Sequence, residues 1–319
     1  MLADLTLIVL RANLAGSTAI LLVLALRTTT RRWFGALVGY GLWLVVPLAI
    51  VGSLSPSPIA AGPVGTLETL NDRASSWLGA QGHLRWLVGL WLAGFLIAAG
   101  IALWRQLRFT AAVRAGCAGP AAVGVIQPRF VTPADYAEHF TPEERRLIRA
   151  HELAHIDRRD ARCNALVELA AWLCWFNPLV PLAVRALRLD QELACDATVM
   201  ERLPASRRAY AQTLLRTHTT PLSGPLGCQW APASAGPLGA RIALLTSPRP
   251  SQVKRDVGLA MIAALGLVSV VCASRLSAPY RAPLTVVPTV VLIDLAPPDH
   301  GRSPLDAWVY RSLPSDTAP

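Results

Sequence analysis

The residues of this chain best suited to chemistry form the pentapeptide His-Glu-Leu-Ala-His at positions 151–155. On a helix the two histidines lie one turn apart on the same face, so both imidazoles can reach one metal ion. Glu152 projects beside them, where its carboxylate can accept a proton from an attacking water. The motif therefore predicts a zinc peptidase centre with His151 and His155 as ligands and Glu152 as the catalytic base. The alternative is an amphipathic helix on which both histidines are ordinary polar residues.

A catalytic zinc site needs a third protein ligand, and residues 189–196 contain the best candidate. This segment is predicted to be a second helix, on which Glu192 and Asp196 lie four residues apart and share a face. Glu192 is the predicted third ligand. Asp196 is predicted to hold a ligand histidine, His151, in the required tautomer. The alternative for Glu192 is a surface glutamate on a charged helix.

Three further residues are weaker candidates. Asp190 is the second choice for the third ligand. Cys195 could also bind zinc, although two histidines plus a cysteine are less usual in a peptidase. Tyr210 is a candidate donor to the oxyanion that develops in the transition state.

The local sequence also predicts where the histidine helix begins and ends. Thr141 is a suitable N-cap, Pro142 fits the first helical position, and Glu144 completes a capping box. The helix is predicted to run from Pro142 to about Arg158.

The composition is typical of a membrane protein. The chain is 53% hydrophobic and 16% charged, whereas soluble domains are about 25% charged. Four segments have close to the roughly 20 apolar residues that a bilayer crossing requires. They are residues 5–26, 33–51, 84–104 and 257–273.

Basic residues flank these segments in a pattern that predicts their orientation. Arginines lie between the first two segments and after the third, and arginine and lysine precede the fourth. By the positive-inside rule these flanks are cytoplasmic. The N-terminus, the loop at about 52–83 and the short Pro-rich tail at 276–319 are then external. Residues 105–255 form a cytoplasmic peptidase domain, whose zinc site faces the cytoplasm of a bacterial cell.

The formal charge of +10 is explained by these membrane flanks. The sequence carries no DNA-binding signature, so direct binding of nucleic acid is not predicted. The lipid bilayer is the predicted partner of the basic flanks.

For two shorter segments the sequence is compatible with two alternative structures or roles. Residues 161–187 form an apolar hairpin that either enters the membrane from one side or packs as a buried helical pair. Residues 125–131 contain a strand pattern that either binds substrate by strand addition or is a plain structural strand.

The sequence resembles the BlaR/MecR antirepressor metallopeptidases, membrane sensor-transducers that cleave DNA-binding repressors. The resemblance is carried by residues 151–160, 188–196 and 208–215 and by the placement of the spans, and it covers about residues 1–275. It implies zinc binding by His151, His155 and Glu192, and Glu152 as the base. It also implies a cytoplasmic repressor as substrate and self-cleavage near the segment before the fourth span. Asp160 matches the family motif, either with a role of its own or only as a cap at the helix end.

The chain departs from that family after the fourth span, where the antibiotic sensors carry a large penicillin-binding domain. Only about 45 residues follow here, so we expect no acylation by β-lactams. Ser251 and Lys254 match the Ser-x-x-Lys pattern of such domains. They precede the final span on the predicted cytoplasmic side, and the match is interpreted as coincidence.

The sequence thus predicts a multi-span α-helical membrane protein with a mainly α (α+β), gluzincin-like zinc peptidase domain. A homodimer would suit a transducer. Two alternatives remain: a quality-control membrane metallopeptidase of the HtpX type, which usually has two spans before the motif, and a non-catalytic receptor or scaffold that keeps a peptidase fold.

Overall fold

The computed structural model describes residues 2–55, 83–117, 120–219 and 235–275, and within them the chain is mostly helical. The helices are α1 (Leu2–Phe34), α2 (Ala36–Gly41), α3 (Val45–Leu54), α4 (His83–Arg114), α5 (Tyr136–His139), α6 (Pro142–Asp157), α7 (Asp160–Leu173), α8 (Leu179–Arg202), α9 (Arg207–Thr219), α10 (Ala235–Thr246) and α11 (Gln252–Ser274). Strands β1 (Ala121–Val123) and β2 (Arg129–Val131) pair antiparallel.

The mainly helical class is confirmed, whereas the gluzincin-like fold stays a prediction. The predicted tail at 276–319 and most of the predicted loop at 52–83 lie outside the described residues.

Four helical stretches are long and apolar enough to cross a bilayer, as predicted. They are Ile8–Phe34, Ala36–Leu54, Trp86–Arg114 and Gln252–Ser274. The second is continuous through α2, a 3-10 turn at Leu42–Leu44 and α3. The third differs most from the prediction, because α4 continues ten residues past Trp104. The predicted boundary between membrane and peptidase regions at residue 104 therefore lies inside a helix.

A glycine separates the first two spans. Gly35 has φ of +98°, and a Cβ there would lie 2.7 Å from Cγ of Pro250. Only glycine adopts this conformation at little cost. The chain therefore ends α1 and begins α2 within one residue, against the segment that leads into α11.

Helix α8 belongs to both apolar cores of the described chain. Ala183, Ala186 and Leu187 in its first half pack among residues of α1, α2, α3 and α11. Val199 and Met200 near its end pack instead with residues of α6, α9 and α10. The segment that carries the predicted third ligand lies between these two contacts and is fixed from both sides.

The apolar hairpin predicted at 161–187 is formed by α7, a turn and the start of α8. Its turn contacts two candidate spans: the Asn177 amide donates to Asn13 and Ser17 on α1, and the Trp175 indole donates to the Trp91 carbonyl on α4. Apolar side chains of α7 are exposed, with Leu166 at 69%. This apolar face is exposed beside two candidate spans, and entry of the hairpin into the membrane stays a prediction.

The strand predicted at 125–131 is wrong in its extent. The chain forms a hairpin, with β1 ending at Val123 and β2 beginning at Arg129, so the first half of the predicted strand is a turn. Gly124 has φ of +99°, and a Cβ there would lie 2.5 Å from the Gln127 carbonyl oxygen. The turn thus depends on a glycine that a pattern of apolar residues does not identify. Strand β1 packs against α6.

Candidate metal centre

Helix α6 is built as its local sequence predicts. The Thr141 side chain accepts from the Glu144 amide, and the Glu144 carboxylate accepts from the Thr141 amide, which forms the capping box. The helix begins at Pro142 and ends at Asp157, with Arg158 as its C-cap. This confirms the predicted bounds to within one residue. The stripe that carries both motif histidines is buried.

The three predicted ligands converge. His151 Nε2 lies 3.1 Å from His155 Nε2. Glu192 on α8 contacts both rings, with Oε2 at 3.3 Å from His151 Nε2 and Oε1 at 3.5 Å from His155 Nε2. One potential ligand atom from each of His151, His155 and Glu192 lies within 4.8 Å of the other two. Two imidazoles and one carboxylate are a donor set that suits zinc and leaves a coordination position open.

The far nitrogen of each histidine is held by an oxygen. His155 Nδ1 lies 2.8 Å from Asp160 Oδ2, and His151 Nδ1 lies 2.8 Å from the Tyr210 hydroxyl oxygen. The Tyr210 hydroxyl donates to Asp196 at 2.6 Å, so its oxygen accepts from His151. These partners assign the proton of each neutral ring to Nδ1. The lone pairs of both Nε2 atoms then face the centre. Because these atoms are only 3.1 Å apart, the two lone pairs repel each other unless a cation lies between them. A bound metal ion would supply that cation.

A buried arginine supports the acidic side of the centre. Arg241 on α10 is 1% exposed. It donates from Nε and Nη2 to the two oxygens of Asp196 at 2.8 and 2.7 Å. Its Nη1 lies 3.0 Å from Glu192 Oε2. Burial by itself raises the pKa of Asp196 and of Glu192, but the Arg241 guanidinium and the hydrogen bonds with His151 together outweigh burial and hold both pKa values below their usual range.

The carboxylates around His151 favour a positive charge on or beside its ring. Burial lowers the pKa of His151, but its hydrogen bonds with Asp196 and Glu192 more than offset this and raise the pKa to about 9. The ring therefore attracts a cation, either a proton or a metal ion. Because a ligand histidine must be neutral at the coordinating nitrogen, a metal that binds here replaces that proton.

Glu152 lies between the centre and strand β1. The Ala122 amide donates to Glu152 Oε2 at 2.6 Å, and the side chain is 3% exposed. Burial raises the pKa of Glu152 above its usual value. A carboxylate with a raised pKa is a better proton acceptor near neutral pH than a solvated one.

Tyr210 does not occupy the position of the predicted transition-state donor. It is fully buried, and its hydroxyl contacts the Nδ1 side of His151, away from the Nε2 atoms that face the metal position. A group there orients the histidine and does not reach a substrate carbonyl. The predicted partnership between Asp196 and His151 is present, with Oδ1 at 3.4 Å from Nδ1, and the shorter hydrogen-bonded route runs through Tyr210.

The two weaker ligand candidates lie outside the ligand trio. Asp190 binds Arg27, Arg31 and the Trp43 indole, all from the first two spans. Cys195 is buried with Sγ at 3.2 Å from His155 Nδ1, on the side of the ring turned away from the metal position. Neither group points to the place where both Nε2 atoms and Glu192 meet.

Sequence reasoning left the role of Asp160 open and missed Arg241. Arg159 adopts a left-handed conformation, with φ of 59°, between α6 and α7. This turn returns the next residue, Asp160, to the ring of His155. The signal for Asp160 was present in the motif at 151–160, whereas Arg241 lies 45 residues from Asp196 and no local pattern connects them.

We expect Asp160→Asn to weaken metal binding at this candidate centre by about 10–100-fold, which is typical when the carboxylate behind a ligand histidine is lost. Titration with a competing chelator measures the affinity. Asp135→Asn is the matched control, because Asp135 also pairs with a histidine, His139, at 3.2 Å but on the exposed surface. Equal affinities for the two variants would contradict the assignment of Asp160 to His155.

The described residues thus define a helical, membrane-type protein whose buried histidine–glutamate cluster can hold a metal ion. The chain belongs to the BlaR1 peptidase M56 family, whose sequence pattern matches residues 7–78 and 109–245. The second matched region contains the whole cluster, including Arg241. The family assignment confirms the resemblance seen in the sequence and makes this a membrane protein with an M56 peptidase domain.

Individual relatives match over a shorter region. Regulatory protein BlaR1 of Bacillus licheniformis is 33% identical over 98 residues, which are 30% of this chain and 16% of that protein. Methicillin resistance mecR1 protein of Staphylococcus aureus is 26% identical over 98 residues, or 17% of its length. The matched part of this chain thus spans about one sixth of each curated relative. No solved structure matches the chain.

Proposed function

We propose that this chain is a membrane-embedded zinc metalloendopeptidase of a signal-transduction system, which cleaves a cytoplasmic DNA-binding repressor and itself. The observation that carries the proposal is the convergence of His151, His155 and Glu192 beside the buried carboxylate of Glu152. The names of the relatives, a regulatory protein and a resistance protein, support the signalling role.

In the proposed mechanism His151, His155 and Glu192 would hold a zinc ion. When bound, zinc lowers the pKa of water and polarises a carbonyl oxygen. Glu152 accepts the proton of the attacking water and delivers it to the leaving amine. Asp160 and the Tyr210–Asp196 pair keep the imidazoles in the tautomer that presents Nε2 to the metal.

Strand β1 is suited to hold the substrate in extended form. It pairs with β2 on one edge, and its other edge faces Glu152 through the Ala122 amide. A substrate segment that pairs with this edge would take over the Ala122 amide from Glu152 and run past the base and the metal position. This assigns to Ala121–Val123 the substrate-binding role predicted for residues 125–131.

The proposed topology follows from the basic flanks. The N-terminus and the segment between the second and third spans lie outside the cell, and the metal centre and the ends of α1 and α4 lie inside. The apolar hairpin of α7 and α8 enters the membrane from the cytoplasmic side, where its turn meets Asn13 and Trp91. The bilayer is then in contact with the same helices that carry Asp160 and Glu192.

The decisive experiment is a proteome-wide search for new protein N-termini in cells that express the intact chain or Glu152→Gln together with a co-encoded candidate repressor. We expect new termini in the repressor, and in this chain before α11, only with Glu152 present. Glu143→Gln is the matched control, since Glu143 is an exposed glutamate in the first turn of the same helix.

Each other outcome points to a different function. Fragments of many membrane proteins, without cleavage of the repressor, would replace the signalling role with quality control. Identical termini for the intact chain and Glu152→Gln under every inducing condition, with zinc bound in both, would favour a receptor or scaffold.

A further inference from the structure

A cavity of about 610 Å³ lies apart from the metal centre, where the end of α1 meets α8, α10 and the start of α11. Its apolar lining includes Phe34, Leu37, Met200 and Leu245. This volume is within the range of small-molecule sites. The cavity takes no part in the proposed peptidase mechanism.

The cavity is strongly basic. Its cationic lining residues are Arg31, Arg32, Arg207, Arg249, Lys254 and Arg255, whereas Glu201 is its one acidic residue.

Three of these six cationic side chains already interact with other groups of the protein. Arg31 pairs with Asp190, Arg255 with Glu201, and Arg249 donates to the Met200 carbonyl. Within the described part of the chain, the structure shows no ion pair for the side chains of Arg32, Arg207 and Lys254. These three come from three separate segments of the chain, and together they leave a concentration of positive charge that an anion can neutralise.

The position of the cavity identifies the kind of anion. Arg32 lies near the end of the first candidate span, and Lys254 lies near the start of the last. Trp33 is 59% exposed on the same rim, and exposed tryptophans are typical of the membrane–water interface. A cavity with basic groups and apolar walls beside the ends of two candidate spans matches a phosphate headgroup attached to acyl chains.

We propose that this cavity binds an anionic glycerophospholipid, with its phosphate near Arg32, Arg207 and Lys254 and its acyl chains leaving past Phe34 and Leu37. The bound lipid contacts Met200 and Glu201, one turn beyond Asp196 on α8. It therefore joins the ends of two spans to the helix that carries the proposed third metal ligand. The site is independent of proteolysis, so Glu152→Gln binds the lipid equally.

Native mass spectrometry from nanodiscs of equal phosphatidylglycerol and phosphatidylcholine tests the site. We expect the intact chain to retain one phosphatidylglycerol. Arg32→Gln combined with Lys254→Gln should lower its retention about 25-fold, or about fivefold for each basic group removed. The matched control is Arg105→Gln with Arg114→Gln, which removes the same charge from exposed positions of α4 outside the cavity.

Two further measurements separate a lost site from a lost fold or a different ligand. Arg32→Lys with Lys254→Arg, which keeps both charges, should retain the lipid. Millimolar inorganic phosphate should not displace it, because free phosphate lacks the acyl chains. Equal loss in the cavity and control variants, equal retention of phosphatidylcholine, or displacement by free phosphate would each overturn the proposal.

Discussion

Replacing Arg241 with methionine is expected to lower the free energy of unfolding by about 3–5 kcal/mol, the usual cost of leaving a buried charge without its partner. Arg241 forms a bidentate pair with Asp196 and a third contact with Glu192, and all three side chains are buried. Methionine keeps most of the volume but removes the only guanidinium that contacts both carboxylates within the described residues. The pKa values of Asp196 and Glu192, which Arg241 holds down, would then rise.

Chemical denaturation of the purified protein in mixed micelles measures this change. Arg216→Met is the matched control, because Arg216 also pairs with a glutamate, Glu144, at 3.1 Å but with half of its side chain exposed. Exposed ion pairs contribute at most about 1 kcal/mol. A loss of stability in Arg241→Met no larger than in Arg216→Met would show that the buried pair does not stabilise the centre.

The same arginine shows where prediction from sequence ends. Helix α6 follows from local signals: the capping box, the proline at the first position and the histidine spacing are all read within seventeen residues. Glu192 follows from a second local pattern, together with the need of zinc for a third ligand. Arg241 comes from a different helix, and only packing against α8 and α9 brings its guanidinium to Asp196.

The number of apolar helices was also predictable, because a bilayer crossing needs a length of apolar sequence that is easily recognised. The packing of these apolar helices against one another was not predictable from the sequence. Among the described helices, the third candidate span packs mainly against α7. The contacts of Asn13 with Asn177 and of Trp91 with Trp175 depend on that arrangement. Polar and aromatic residues inside apolar segments indicate that partners exist, but they do not identify them.

The error at Asp190 has a related cause. On the predicted helix Asp190 was a reasonable second choice for a metal ligand, two residues before Glu192. Helix α8 instead turns Asp190 toward the first two spans, because its apolar residues at 183, 186 and 187 pack against them. Two carboxylates on one helix thus serve different partners: Asp190 binds the span arginines, and Glu192 faces the histidines.

This division makes α8 a physical link between the membrane spans and the candidate centre. At Asp190 the helix is tied to Arg27 and Arg31 of α1, each at 2.8 Å, and to the Trp43 indole at 2.9 Å. Half a turn later it presents Glu192. A displacement of α1 therefore acts on α8 through a charged contact close to the proposed ligand.

Asp190→Asn is accordingly expected to lower the free energy of unfolding by about 2–4 kcal/mol. Asparagine keeps the shape and can still accept from Trp43, but Arg27 and Arg31 lose their shared anion in a largely buried place. Their side chains are 15% and 22% exposed, so water compensates part of the loss. Denaturation in mixed micelles gives the free energy, and chelator competition shows whether zinc affinity falls with it.

Asp157→Asn is the control for this variant, because its ion pair with Arg202 also measures 2.8 Å but is about half exposed. We expect that change to cost at most about 1 kcal/mol. If Asp190→Asn lowers both stability and zinc affinity, the contact between spans and α8 also positions Glu192. If it lowers stability alone, the contact only holds α8 on the spans, and a signal must reach the centre by another route. A loss of stability equal to that of Asp157→Asn would show that the contact of Asp190 with Arg27 and Arg31 contributes no more than an exposed ion pair.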